Sequence, residues 1–294
     1  MQTILPEDDS DNFFEMRTTQ TAALAVLFNI LTNTISDVII VFTVDGMMIN
    51  TYDTSGSIFI SVMLDSSGFD WWFCKDITDS FGRRIAVQVC LNVHNINNVM
   101  KSITASDDVI KWGYNPKDEF LKITIISSSR AEERQYKLVV QDGADVCTEI
   151  HSIDGYRYKL TMPSMDLSTI FKHLKQLSVD KVKIKYVDMN LIFEAVSKSG
   201  ILVSIRREGS HGPDNSDIDK LIINKEPTHV SCYCDDFKFD NLYNFTKCAK
   251  ISGKSGGSTV LLYLSEDEPL AIQFNVGKLG TVIFFLGSNQ EDIE

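Results

Sequence analysis

Leu24-Ala25-Val26-Leu27-Phe28-Asn29-Ile30-Leu31 sets apolar side chains at i, i+3, i+4 and i+7, the repeat of a helix with a single apolar stripe. The spacing returns at Ile96, Val99, Met100 and Ile103, and again at Leu167, Ile170, Phe171 and Leu174. A weaker copy is Leu242, Phe245, Thr246 and Ala249. The leading residues 24, 96, 167 and 242 stand 72, 71 and 75 positions apart. Such a period marks repeated supersecondary units. Between the helices the chain reads as short branched or aromatic strands, for example SIFISVML (57–64), FLKITII (120–126) and NLIFEAV (190–196). Strict alternation in Lys181-Val182-Lys183-Ile184-Lys185-Tyr186 marks a half-buried strand. Four units of one helix plus several strands, taken in pairs, predict an α+β protein of two similar domains. Each would have antiparallel sheets outside and two helices lining an inner face.

The helix face away from each stripe is the second signal. Five positions after each leading residue, about 100° per step carries the chain to the far side of the helix. Those positions are Asn29, Lys101, Lys172 and Lys247; eight positions on stand Thr32, Thr104, Lys175 and Lys250. None of the eight is an acid, in a chain with 40 acids, 28 bases and a net charge of −12. Lysines on exposed helix faces are common, but recurrence in three of four repeats points to one surface that meets phosphates.

Bulk composition bounds the rest. Hydrophobic residues are 44% and charged residues 23% of the 294, as in ordinary globular proteins. The apolar stretch Thr21 to Ile35 is too short to span a bilayer, so no membrane partner is expected. The acidic beginning, MQTILPEDDSDNFFEMR, lacks the basic flank of a signal peptide, and an intracellular location is expected. The six cysteines form no CxxC pair and predict reduced thiols. No metal or cofactor is expected, because the five histidines show no ligand spacing. Gly253-Lys254-Ser255 resembles the end of a phosphate loop but follows a helix and has Cys248 at the upstream glycine position. No catalytic motif survives, and the protein is expected not to be an enzyme.

From Phe14 onward the chain resembles the proliferating cell nuclear antigen family of sliding clamps. Phe14-Glu15-Met16-Arg17 is similar to the family's opening FEAR. GMMINTYDTSGSIFISVM (46–63) follows GVNLQSMDSSHVSLVQLT without a gap, Asp53 included, and LDSSGFDWWFC (64–74) is similar to LRSEGFDTYRC. Met162-Pro163-Ser164 matches the MPS before the third helix, NFTK (244–247) matches FFTK, and FFLGSNQEDIE (284–294) resembles YYLAPKIEDEE.

The resemblance implies a DNA clamp fold and a head-to-tail ring of three copies around duplex DNA, read without regard to sequence. The DNA-facing residues carried over by helix position are Lys101, Lys172, Lys175, Lys247 and Lys250. Neighbouring copies would pair edge strands, through Tyr136, Leu138 and Val140 on one side and Ile201, Val203 and Ile205 on the other. A closed ring removes the hazard of free edges. DNA polymerase and other replication and repair proteins would insert short hydrophobic-aromatic motifs into a pocket of Tyr52, Ser57, Phe59, Val146, Ile150, Ile153, Phe285 and Leu286. A clamp loader would open the ring. The work would be in the nucleus, or at a viral replication site if the protein is virus-encoded.

The implied layout is a disordered acidic segment 1–12, an N-terminal clamp domain 13–140, a connecting loop 141–155 and a C-terminal clamp domain 156–294. Several residues depart from the family. The first helix lacks Lys and Arg, with Arg17 as a partial substitute. The segments 75–89 and 208–222 read as added loops, and Val187-Asp188-Met189 stands where many members carry a modifiable lysine. Gly287-Ser288 replaces the Ala-Pro beside the partner pocket. Two alternatives stay open: a specialised checkpoint or virus-type clamp paralogue, and a clamp-fold scaffold that does not encircle DNA.

Overall fold

The computed structural model describes residues 12–288 apart from 79, 83, 104, 106, 143–146, 148–150, 212–220, 226–232 and 252–257. Its elements fall into four units, each opening with a strand that runs straight into a helix. The first comprises β1 (Phe14–Thr18), α1 (Thr21–Leu31), β2 (Asp37–Phe42), β3 (Gly46–Tyr52), β4 (Ile58–Asp65) and β5 (Trp71–Cys74). A two-stranded hairpin, β6 (Ile77–Thr78) with β7 (Arg84–Ile85), leads out of it. The second holds β8 (Val87–Asn92), α2 (Val93–Met100), β9 (Asp108–Tyr114), β10 (Phe120–Ser127) and β11 (Glu132–Val139). The third holds β12 (Tyr158–Pro163), α3 (Ser164–Gln176), β13 (Lys181–Val187), β14 (Asn190–Val196), β15 (Leu202–His211) and β16 (Leu221–Lys225). The fourth holds β17 (Tyr233–Lys238), α4 (Phe239–Thr246), a 3-10 turn Lys247–Lys250, β18 (Thr259–Leu264), β19 (Leu270–Val276) and β20 (Gly280–Leu286).

Each unit lends its opening strand to its partner unit. β1 pairs with β9, beside β10 and β11, while β8 pairs with β2, beside β3 and β4. In the same way β12 joins β18, β19 and β20, and β17 joins β13, β14 and β15. The exchange makes each pair of units one domain, since neither unit completes a sheet alone. The two domains are then joined by β20 against β4, from Gly280 opposite Leu64 to Leu286 opposite Ile58. A thirteen-stranded sheet results, with a separate five-stranded sheet in the order β11-β10-β9-β1-β5.

The four apolar stripes explain why the helices dock where they do. Leu24, Leu27, Phe28 and Leu31 are fully buried, and Ile96, Val99, Met100, Leu167, Ile170, Phe171 and Leu174 are buried to within a few per cent, whereas Ile103 lies past the end of α2 and is half-buried. Leu242, Phe245, Thr246 and Ala249 are equally buried, so the weak fourth pattern is a genuine core face. Aromatic rings knit the layers: Phe14 stacks on Phe42 at 3.8 Å, Phe28 lies 5.7 Å from Trp112, and Phe245 stacks on Phe284 at 4.1 Å. Asn92 caps α2 by accepting from the Asn95 amide at 3.2 Å, which stabilises an eight-residue helix that is short by ordinary standards.

Several expectations need correction. The fourth helix does not run through Ala249; it tightens into the 3-10 turn after Thr246, with Cys248 buried beneath it. Glu208–His211 is strand, because Gly209, Ser210 and His211 pair in parallel with Leu221, Ile222 and Ile223. A glycine is needed there: a β-carbon at Gly209 would press on Ile223 and the Met189 carbonyl. The added segment 75–89 contains the β6–β7 hairpin and the start of β8. Val187-Asp188-Met189 forms a tight turn with positive φ at Asp188 and Met189. The acidic segment 1–11, Thr104, Arg83, residues 143–146 and 148–150 of the connecting loop, Gly253-Lys254-Ser255 and the last six residues lie outside the described residues.

Candidate functional site

Packing sets the helices in one row. α2 packs on α1, α1 packs on the 3-10 turn 247–250, and α3 packs on both that turn and α4. Between α1 and α2, the Asn97 amide donates to Asn29 Oδ1 and Thr32 Oγ1, both at 3.5 Å. Asn29 and Thr32, the two uncharged positions of the first helix, are thus bound to their neighbour.

The row gathers cations at its other end. Lys172 and Lys175 project from α3, exposed, one turn apart. Lys175 Nζ sits 4.3 Å from the centre of the Tyr243 ring on α4, and Lys247 Nζ approaches the same ring at 5.6 Å. Lys247 also donates to Asn244 Oδ1 at 2.7 Å. One ring therefore orders two ammonium groups that would otherwise repel. Lys250 is exposed at the end of the turn, and Lys101 is exposed at the C-cap of α2. Lysine at a helix C-terminus also complements the negative end of the dipole. Arg17 does not join them. It alternates with core-facing Phe14 and Met16 and is exposed on the other face of β1, so it is no substitute for the missing bases of α1.

A second cluster lies at the join of the domains. Phe59 on β4 and Phe285 on β20 are register partners with ring centres 5.8 Å apart. They share a small apolar core with Tyr156, Tyr263 and Ala271, against which Ile153 and Cys147 pack. Tyr52 stands 5.0 Å from Phe59 at the cluster's exposed rim. Leu286 is not part of it: it points to the opposite sheet face and lies in the main core, because neighbours along a strand alternate. Ser57 is half-buried in the turn before β4, its hydroxyl 2.7 Å from that of Ser55. Val146 and Ile150 lie outside the described residues.

Sequence reasoning missed two residues here. His151 lies 4.5 Å from Phe59 and 5.1 Å from Phe285, and its Nε2 is 3.1 Å from the Tyr52 hydroxyl. No local pattern marks it, since its position depends on how the loop crosses β4 and β20. Tyr243 had a visible signal: it stands four residues before Lys247 on one helix face.

Asp53 holds the turn that carries Tyr52 and Ser57. Its Oδ1 accepts from the Ile58 amide at 2.8 Å and its Oδ2 from Ser55 Oγ at 2.5 Å. Partial burial raises its pKa, but the hydrogen bonds from Ser55, Ile58 and Ser57 outweigh it and leave the group below its ordinary 3.8. A lowered folded value means that the stabilisation is complete above 3.8 and is lost as pH falls through the lower folded value. Acid titration of Asp53→Asn is therefore expected to show lower stability than the parent at neutral pH and convergence with it only as pH falls through the lowered folded value. A constant gap down to the acid limit would overturn this role.

The edge residues occupy two separate strands. Tyr136 and Leu138 are half-buried on β11, the last strand of the five-stranded sheet, and Val140 follows its end. Val203 and Ile205 are half-buried on β15, whereas Ile201 lies just before that strand and is 51% exposed. Among the described residues no group of His, Cys, Asp and Glu is arranged to hold a metal, and no helix is long and apolar enough to cross a membrane.

Comparison with known proteins follows this geometry. Residues 13–146 match the family model described as the N-terminal domain of proliferating cell nuclear antigen, and residues 150–289 match that of its C-terminal domain. A "Probable DNA polymerase sliding clamp 1" of Paramecium bursaria Chlorella virus 1 is 22% identical over 282 residues, 95% of this chain and 98% of that protein. A "Probable DNA polymerase sliding clamp" of Acanthamoeba polyphaga mimivirus is 21% identical over 316 residues, covering 95% of this chain and 62% of the viral protein.

Proposed function

The chain belongs to the proliferating cell nuclear antigen family, with both domains of that fold, and from this premise we propose that it is a DNA polymerase sliding clamp acting as a homotrimeric ring around duplex DNA. The observation that carries the reading is the row of four helices with Lys101, Lys172, Lys175, Lys247 and Lys250 along it, in a chain of net charge −12. Concentrated cations on one surface attract phosphates through counterion release, whereas acids elsewhere keep nucleic acid off the remaining surface. Contacts to phosphate alone carry no sequence information, and that suits a protein that must slide. The ring itself performs no chemistry. It tethers the polymerase and other replication and repair proteins, and a loader opens it. The viral origin of both relatives supports a site of viral DNA replication over the nucleus.

The test is the assembly state. Three chains of 33.1 kDa should sediment together at about 99 kDa, and electron micrographs should show rings of three-fold symmetry. A monomer at micromolar concentration would overturn the ring.

The cluster of Phe59, Phe285, Tyr52 and Ile153 is the surface we assign to partner motifs. An aromatic side chain inserted beside these rings concentrates binding energy in a small area. Tyr52 is the accessible member, at 36% exposure, and can be changed without opening the core. Tyr52→Ala is expected to weaken binding of a short peptide bearing two aromatic residues on one helical turn by roughly 30-fold, read by fluorescence anisotropy. An unchanged affinity would move the partner site elsewhere.

A further inference from the structure

The chain is acidic as a whole, but the outward face of the five-stranded sheet is an exception. β5 is a terminal strand of that sheet and pairs with β1. Trp71 and Phe73 stand on its outward face, 46% and 43% exposed, while Trp72 and Cys74 turn toward the core. Two large rings side by side in water mark a contact surface. In the family stretch matched above, threonine and arginine occupy these two places, so the ring pair belongs to this chain.

The register lays the face out in two rows. Trp71 lies opposite Arg17, Arg17 opposite Lys111, Lys111 opposite Thr124 and Thr124 opposite Gln135. In the next row Phe73 lies opposite Glu15, Glu15 opposite Gly113, Gly113 opposite Lys122 and Lys122 opposite Lys137. Glu15 is the one acid in the two rows, and it is buried and bound to Lys111 at 3.0 Å. Lys122 is drawn to Asp118 at 3.3 Å and counts for less. Lys75, two residues beyond Phe73, sits 4.5 Å from the centre of the Phe13 ring, and Lys137 sits 4.4 Å from that of Phe120. A ring orders an ammonium group without neutralising it, so both charges stay open to an anion.

We propose that this face is a second nucleic-acid site, one that takes an unpaired strand: its bases stack on Trp71 and Phe73, and its phosphates meet Arg17 and Lys75. The inference goes beyond the ring, since neither the helix row nor the joint between copies enters it. Aromatic faces beside a positive track are what sequence-blind binding of single strands requires.

Spacing selects the unpaired form. Side chains two residues apart along a strand emerge about 7 Å apart. Bases stacked in a duplex follow one another at about 3.4 Å along each strand. Only a stretched, unpaired strand can therefore set one base on each ring. An acidic peptide would answer the charge as well. A peptide must supply its acids and its rings from different residues, whereas every nucleotide brings one phosphate and one flat face, which suits Trp71 beside Arg17.

The site is tested on the full-length protein with a fluorescent oligothymidylate of about twelve nucleotides, read by anisotropy. W71A/F73A is expected to weaken binding by about thirtyfold or more. R17Q/K75Q should flatten the logarithmic salt dependence by about 1.4, two phosphate contacts' worth. W71F/F73Y keeps both stacking faces and should stay near the parent. Binding should survive K172E/K175E/K247E, a duplex of the same length should compete poorly, and W71A/F73A should be retained on closed circular duplex as the parent is. Because losing both rings can disturb the sheet edge, a second measurement uses the unaltered protein. Irradiation with a bromodeoxyuridine oligonucleotide should join it to Trp71 or Phe73, identified by peptide mass spectrometry. Cross-links confined to the helix row, or an unchanged affinity of W71A/F73A, would overturn the site. Binding that appears only after Glu7, Asp8, Asp9 and Asp11 are changed to amides would overturn it too: Asn12 lies over Gly113, and the chain's own acidic start would then be the occupant. An acidic aromatic peptide that binds the face more tightly than the oligonucleotide would give it to a protein partner and end the proposal. A chain that sediments as a monomer overturns the ring alone and leaves this face as it stands.

Discussion

Replacing Lys172, Lys175 and Lys247 together by Glu is expected to shorten the lifetime of the protein on closed circular DNA by about a hundredfold or more at ordinary ionic strength. Each lost phosphate contact removes close to one counterion from the salt dependence, and in a trimer every substitution counts three times. The parent should show a steep fall of retention with salt and the variant a shallow one. The helices should survive, because all three side chains lie off the apolar stripe and none is fully buried. Lys117 and Lys278, exposed in strand-connecting turns, supply the control: changing both to Glu should leave retention near the parent value. Equal losses in the two variants would mean that net charge alone matters, and the helix row would lose its role.

The largest expected effect on stability is at the seam between the domains. Gly46 and Gly280 have φ of +151° and +155°, and both press on β4. A β-carbon at Gly46 would overlap the Leu64 carbonyl oxygen, and one at Gly280 the Met63 carbonyl oxygen. Those atoms are backbone of a strand paired on both sides, by β3 and by β20, so they cannot swing aside. Gly280→Ala is expected to destabilise the chain by about 3 kcal/mol or more, lowering the melting temperature by roughly 6–12 °C. Gly155 has open space around its missing β-carbon, and Gly155→Ala should change stability by no more than about 0.5 kcal/mol. A melting curve of Gly280→Ala that overlays the parent would show that β4 and β20 separate easily.

The layered fold could be read from the sequence because two periods, about 3.6 and 2, are local properties of the chain. The stripes at 24, 96, 167 and 242 all proved to be core faces. What the residues could not display is the exchange of opening strands between units, which joins β1 to β9 and β8 to β2. That pairing is set by how two helices pack, and packing acts across some 70 residues. The lysines were legible for the same reason that the helices were. Leu286 was misplaced because a one-residue step along a strand reverses the face, and only the register of β20 against β4 fixes which face is which. His151 had no pattern to betray it, as its place follows from the path of a loop. The polar run from Glu208 to His211 looked like a loop because its partner, β16, is reached only after nine further residues.

The seam of β20 on β4 has a mechanical meaning. Two domains tied only by the connecting loop would swing freely, and any strain on the molecule would be absorbed there. Seven residue pairs in one ladder must instead be sheared together before the halves can part. Deformation is thereby diverted away from the seam, so that in the proposed encircling assembly a breach would open between copies and spare the middle of each.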